Sequence, residues 1–271
     1  MKSSVVQSFV MFLLWILLCG YAEKDPTPEG IVEDVRKPEL LEDIATTEAF
    51  ISSAEVAVIG FFKDSERPDI SEFLTMIKNV QEVSFGICTS PHVLSHYNIT
   101  GNTMSLFRVV DNKRHDLEME DIEGLDASKL SRFVQMHGLH WVTDYNPMTA
   151  VGLFDSTIEV HLLLFADKLS PNHTERINKY REAAQFFQGK VLFIFVDIHL
   201  KGNDRVLSYF HLKKSQLPAL AAFHTPDEEY DVLHLNEVSV ATVKDFCNGF
   251  LQKQQEKENP NSKDKAFKEE L

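Results

Sequence analysis

The chain has 271 residues, 44% apolar, 25% charged and 10% aromatic, a globular composition that excludes collagen-like, mucin-like and wholly disordered chains. Its 41 acidic side chains against 27 lysines and arginines give a formal charge of -14, which opposes binding to nucleic-acid phosphates and to anionic bilayer surfaces. Cys19, Cys88 and Cys247 are the only cysteines, too sparse for a disulfide scaffold and without a Cys-x-x-Cys pair.

The first residues combine Lys2, an apolar run from Phe9 to Leu18, and the small residues Gly20 and Ala22. This pattern predicts a secretory signal peptide over residues 1–22, cleaved after Ala22, and the run is too short to favour a membrane span. The mature protein is therefore expected to be lumenal, without membrane insertion, and to begin with a flexible acidic segment over 23–37.

An internal repeat organises the rest. Val93-Leu94-Ser95 is echoed by Val206-Leu207-Ser208 at an offset of 113, which also sets Ser105 against Pro218, whereas Phe61 and Phe165 align at an offset of 104. Two domains of ordinary size follow, over 38–140 and 141–252. In the first, the pattern predicts a strand at 56–62, a helix at 71–80, a strand at 83–88 and a short helix at 91–97. Strands at 103–110 and 115–119 and a helix at 127–137 complete it. In the second, a helix ending at Phe154 precedes a strand at 160–165, a helix at 175–187, a strand at 191–197 and a helix at 204–210. Strands at 219–224 and 230–235 and a helix at 240–251 close it. Central strands apolar on both faces need helices on both sides. The fold class expected is α/β, with two tandem thioredoxin-like domains, each a central mixed sheet flanked by helices.

Residues 253–271 are expected to form a charged disordered tail. It ends in Lys268-Glu269-Glu270-Leu271, which resembles the Lys-Asp-Glu-Leu signal read by a retrieval receptor and so implies the endoplasmic reticulum lumen. Two sequons become meaningful there. Asn172 follows Pro171 in a polar turn and is expected to be a good glycan acceptor, while Asn98 sits among apolar residues and is expected to be less accessible.

The runs His161-Leu162-Leu163-Leu164-Phe165, Gly189-Lys190-Val191-Leu192-Phe193-Ile194-Phe195-Val196-Asp197 and Leu212-Lys213-Lys214-Ser215-Gln216-Leu217-Pro218-Ala219 carry a specific resemblance. The second copy resembles the peptide-binding non-catalytic domain of the protein disulfide isomerase family, and the first is similar to its non-catalytic neighbour. In catalytic members, Cys-x-x-Cys follows the central strand at a helix start, where the helix dipole favours the thiolate. The equivalent places here read Phe62-Lys63-Asp64-Ser65 and Ala166-Asp167-Lys168-Leu169, without sulfur, so no enzyme activity, catalytic residue or cofactor is expected. Pro218 is expected to be cis, with Ser105 in its place in the first copy. Cys88 and Cys247 read as small buried hydrophobes; a redox-active isomerase using either is the rival enzyme reading.

No metal set is expected. Pro91 starts a helix that Cys88 does not share with His92 and His96, and His137 and His140 read as capping residues beside Gly138. The resemblance implies a pocket for unfolded polypeptide lined by Val151, Phe154, Leu162, Leu164, Val206, Phe210 and Leu212. It also implies a separate docking segment, Glu228-Glu229-Tyr230-Asp231. That segment resembles the acidic-aromatic stretch by which a small non-catalytic member engages the lectin-chaperone-associated thiol oxidoreductase, with Tyr230 where the family has Trp. Read from the residues alone, 227–231 is the solvated tip of a hairpin. The implied function is a non-catalytic chaperone or escort that binds unfolded polypeptides and recruits that oxidoreductase. An adaptor that docks the enzyme without binding clients is the alternative.

Overall fold

A computed structural model describes residues 37–63, 68–81 and 83–258. The first repeat runs β1 (Glu39–Leu40), α1 (Ile44–Ser53), β2 (Val56–Phe61), α2 (Pro68–Asn79), β3 (Ser84–Cys88), α3 (Pro91–His96), β4 (Thr103–Arg108), β5 (Lys113–Glu118) and α4 (Ala127–His137). The second runs β6 (Thr143–Asp144), α5 (Pro147–Asp155), β7 (Val160–Ala166), α6 (His173–Ala184), β8 (Val191–Asp197), α7 (Asn203–Tyr209), β9 (Ala219–His224), β10 (Glu229–His234) and α8 (Val240–Glu258). The sheets have the same strand order, β1-β3-β2-β4-β5 and β6-β8-β7-β9-β10. In each, parallel pairing on one side of the central strand meets antiparallel pairing on the other.

The central strands β2 and β7 are buried at every residue, as strands covered on both faces must be. Side chains alternate between the faces. Val56 and Val58 pack with Phe73, Met76 and Ile77 of α2 and with Leu130 and Val134 of α4. Ala57, Ile59 and Phe61 pack with Phe50 of α1 and with Val93 and Leu94 of α3. In the second sheet, Val160, Leu162 and Leu164 join Tyr180 and Ala183 of α6 and Val243, Cys247 and Phe250 of α8. Full burial of such side chains contributes about 1.5–3 kcal/mol each. Helix starts are set locally: Asp43 and Asp126 accept hydrogen bonds from the Thr46 and Lys129 amides, both at 2.8 Å. Among the described residues, no helix is long and apolar enough to cross a membrane.

The strand register corrects the repeat alignment. The offset of 113 holds through α3 and α7, which both end in a left-handed residue, Asn98 (φ 57) and His211 (φ 55). A 3-10 turn, Lys214–Gln216, then lengthens the second copy. Thr103 opposite Phe61 therefore matches Ala219 opposite Phe165. The counterpart of Pro218 is Asn102, not Ser105: the Asn102 and Pro218 carbonyls accept from Met119 and Leu235 respectively, both at 2.9 Å. The Leu217-Pro218 bond is cis.

Two further boundaries differ from expectation. Helix α8 continues to Glu258, so 253–258 are helical rather than part of a disordered tail, and Lys253 and Lys257, one turn apart, pair with Asp231 and Glu229 of β10. By contacts the chain divides into two units, and 146–156 group with the first. The cause is Gly152, where a Cβ would stand 2.1 Å from the Met136 carbonyl oxygen, so that α5 lies directly against the backbone of α4. The retrieval residues Lys268, Glu269, Glu270 and Leu271, like residues 1–36, lie outside the described residues.

Candidate binding site

At the place of the missing dithiol in the second unit, the chain after β7 is occupied by charge. Asp167 accepts from the Leu169 amide at 2.7 Å, which is the main reason its carboxyl lies below the usual carboxylate range, and His199 Nε2 stands 3.1 Å from it. Lys168 pairs with Asp144. In the first unit the corresponding place is bracketed by Asn102, 1% exposed, whose Oδ1 accepts from the Lys63 amide and whose Nδ2 donates to Asp69, both at 3.0 Å. Asp64 and Ser65 lie outside the described residues. Among the described residues the free thiols are elsewhere and buried, Cys88 on β3 and Cys247 on α8. Burial raises both pKa values, that of Cys247 to about 12, which withholds the thiolate that exchange requires.

In the second unit a cluster of aromatic rings lies across α7, β9 and β10. Phe210, the C-cap of α7, packs edge-on against Phe165, Tyr230 and Phe223 at centroid distances of 5.6, 5.1 and 6.0 Å. Tyr209 stands 6.0 Å from Tyr230. The rings grade from Phe165 in the core to the half-buried Tyr209 and Tyr230, and this gradient gives an aromatic platform a rigid foundation. Burial first, then the Glu228 carboxylate and Tyr230, push the Tyr209 hydroxyl up to about 12, so it stays a neutral donor.

The expected pocket residues divide. Val206, Phe210 and Leu212 lie together at α7 and the turn after it. Leu162 and Leu164, both 0% exposed, belong to the core on the opposite face of the sheet, because they share the strand parity of Val160 rather than that of Phe165. Val151 and Phe154, on α5, group with the first unit. A separate depression of about 520 Å³, lined by Lys37, Glu39, Phe50, Ile77, Val83, Ser84 and Phe85, also lies on that unit.

The expected docking segment spans a turn and an edge strand. Glu228 turns the chain in the left-handed region (φ 58), and Asp227 accepts from the Glu229 amide at 3.2 Å and faces His224 Nδ1 at 2.7 Å. Glu229, Tyr230 and Asp231 then pair with His224, Phe223 and Ala222 of β9. Among the described residues, no further strand pairs with their outer edge. The carboxylates of Glu229 and Asp231 are neutralised by Lys257 and Lys253, exposed pairs of the kind that contribute little to stability. Sequence reasoning missed these lysines and Tyr209. The four-residue spacing of Lys253 and Lys257 was the available signal, had the helix been carried past 251. Asn98 and Asn172 are both exposed, which corrects the expectation of a less accessible Asn98.

Residues 62–249 match a family profile described as a thioredoxin-like domain. The chain is 49% identical over 268 residues to human "Endoplasmic reticulum resident protein 27", covering 96% of this chain and 97% of that one. It is 34% identical over 231 residues to mouse "Protein disulfide-isomerase A2", covering 83% of this chain and 44% of that one. Among solved structures, the bb fragment of ERp72 is matched with a TM-score of 0.40 at 14% identity, over 79% of this chain and 96% of that chain.

Proposed function

The chain belongs to the protein disulfide isomerase family of thioredoxin-like proteins, and from that premise we propose that it is a non-catalytic chaperone or escort resident in the endoplasmic reticulum. It holds unfolded polypeptides and recruits a thiol oxidoreductase of the family. One observation carries this reading: the ring series Phe165, Phe210, Tyr209 and Tyr230 rises to the surface beside an acidic edge strand, in a domain with no sulfur after its central strand.

Aromatic platforms of this kind take up apolar side chains of an extended segment, while carboxylates attract a Lys- or Arg-lined groove. The thiol-exchange alternative is opposed by the burial of Cys88 and Cys247, which raises both pKa values and so disfavours the thiolate. Residence rests on the retrieval tail and its receptor, and the exposed Asn98 and Asn172 suit glycosylation in that compartment.

Because Phe210 touches Tyr230, client and oxidoreductase meet neighbouring parts of one surface rather than two remote sites. The test is titration of the full chain with an unfolded polypeptide and, separately, with the oxidoreductase. Tyr230→Ala should weaken both, and Glu229→Lys should weaken only the oxidoreductase. Absence of any polypeptide binding by the unaltered chain would leave the adaptor reading; polypeptide binding indifferent to Tyr230→Ala would place the client elsewhere.

A further inference from the structure

Three side chains far apart in sequence meet in the first unit: His115 on β5, His137 at the last position of α4, and Asp155 at the last position of α5. One ring nitrogen of each histidine and a carboxylate oxygen of Asp155 lie within 4.8 Å of one another. The two imidazoles stack with centroids 4.7 Å apart and planes 24° apart, and Phe133 closes against His137 at 4.7 Å. His115 Nε2 and His137 Nδ1 are buried and have no hydrogen-bond partner. Buried polar atoms are nearly always satisfied, so two orphaned nitrogens at one place call for an occupant.

We propose that His115, His137 and Asp155 bind one divalent transition-metal ion of the zinc class. Two imidazole nitrogens and one carboxylate oxygen are the donor set that such borderline cations take, whereas calcium and magnesium require mostly oxygen ligands. Tetrahedral zinc bonds imply ligand separations of about 3.3–3.4 Å, so the rings must turn inward about their soft terminal torsions as the ion enters. Asp155 is exposed, which leaves an entry path and a position for water as the fourth ligand. The nearby Arg108 charge is already balanced by its buried partner Asp111. Burial lowers the pKa of both histidines, keeping them in the neutral form that ligates.

The full chain should be titrated with Zn²⁺ alone against a chromophoric chelator, with Co²⁺ as a spectroscopic probe. The expected result is one tight site per chain with a visible Co²⁺ band of nitrogen and oxygen coordination, lost in His115→Ala and His137→Ala. Asp155→Asn, a change at an exposed side chain that keeps the protein folded, should weaken binding by about tenfold or more. His92→Ala with His96→Ala should leave it unchanged. The proposal is overturned by absence of a tight site in the unaltered chain, by Asp155→Asn binding as tightly as the unaltered chain, or by loss of the band only when His92 and His96 are replaced. Should either histidine variant fail to fold, Asp155→Asn decides.

Discussion

His161 shows how one buried side chain couples the fold to pH. It lies at 3% exposure on β7, its cross-strand neighbours Leu192 and Phe223 supply no counter-charge, and burial lowers its pKa to about 4 against the opposing effect of a hydrogen bond with the Ile158 backbone. Above pH 6.5 the ring is neutral in both folded and unfolded chains. As pH falls from 6.5 towards 4, only the unfolded chain takes up the proton, so stability is lost by about 3 kcal/mol across that window. Denaturant melts at stepped pH should show this loss, and His161→Leu should remove that part of it; an unchanged slope in the variant would assign the acid sensitivity to other groups. Asn102 is a second residue-scale case. Its side chain holds the Lys63 amide and Asp69 where Pro218 stands in the other copy, and Asn102→Ala should destabilise the protein by about 1–3 kcal/mol, measured by urea unfolding.

At the scale of elements, the β4–β5 hairpin is fixed by a buried ion pair. Arg108 and Asp111, with side chains 0% and 2% exposed, pair across the turn, and Arg108 Nη1 also donates to the His137 carbonyl at 3.0 Å, closing the last turn of α4. Asp111→Ala leaves a buried guanidinium without its counter-ion and should cost about 3–5 kcal/mol in chemical denaturation. Helix α8 bears on the proposed docking strand in the opposite sense. Lys253 and Lys257 occupy the carboxylates of Asp231 and Glu229 that a basic partner would use. Replacing both lysines with alanine should therefore tighten capture of the oxidoreductase several-fold with little change in melting temperature, since exposed pairs contribute only about 0–1 kcal/mol each. Weaker capture would mean that the partner reads the lysines rather than the acids.

At the scale of the whole molecule, the proposed function rests on residence in the endoplasmic reticulum lumen. Deleting Lys268-Glu269-Glu270-Leu271 should send the protein into the medium of expressing cells, because such tails are read in extended form by their receptor. Retention of the deleted form would mean that partner binding holds it. Both units reuse one strand order, yet their edge strands differ: β5 presents Arg114 over Tyr97 and Phe107, where β10 presents Tyr230 beside Tyr209 and Phe210.

The sequence by itself determined the repeat, the two α/β domains, the central strands and the lack of sulfur where exchange would occur, because unbroken apolar runs and missing residue types are one-dimensional properties. It also put Tyr230 and Phe210 among the candidate site residues, and the structure brings their rings into contact. Only tertiary structure decided what depends on register and contact. The three-residue turn at Lys214–Gln216 moved the counterpart of Pro218 to Asn102, and strand parity sent Leu162 and Leu164 to the opposite face from Phe210. Gly152 let α5 settle on α4, which brought Asp155 to His115 and His137. Pairing with β10 carried α8 through residues whose polarity had read as tail. Side-chain periodicity tells which residues share a face of one element; which face meets which neighbour is settled only when the elements pack.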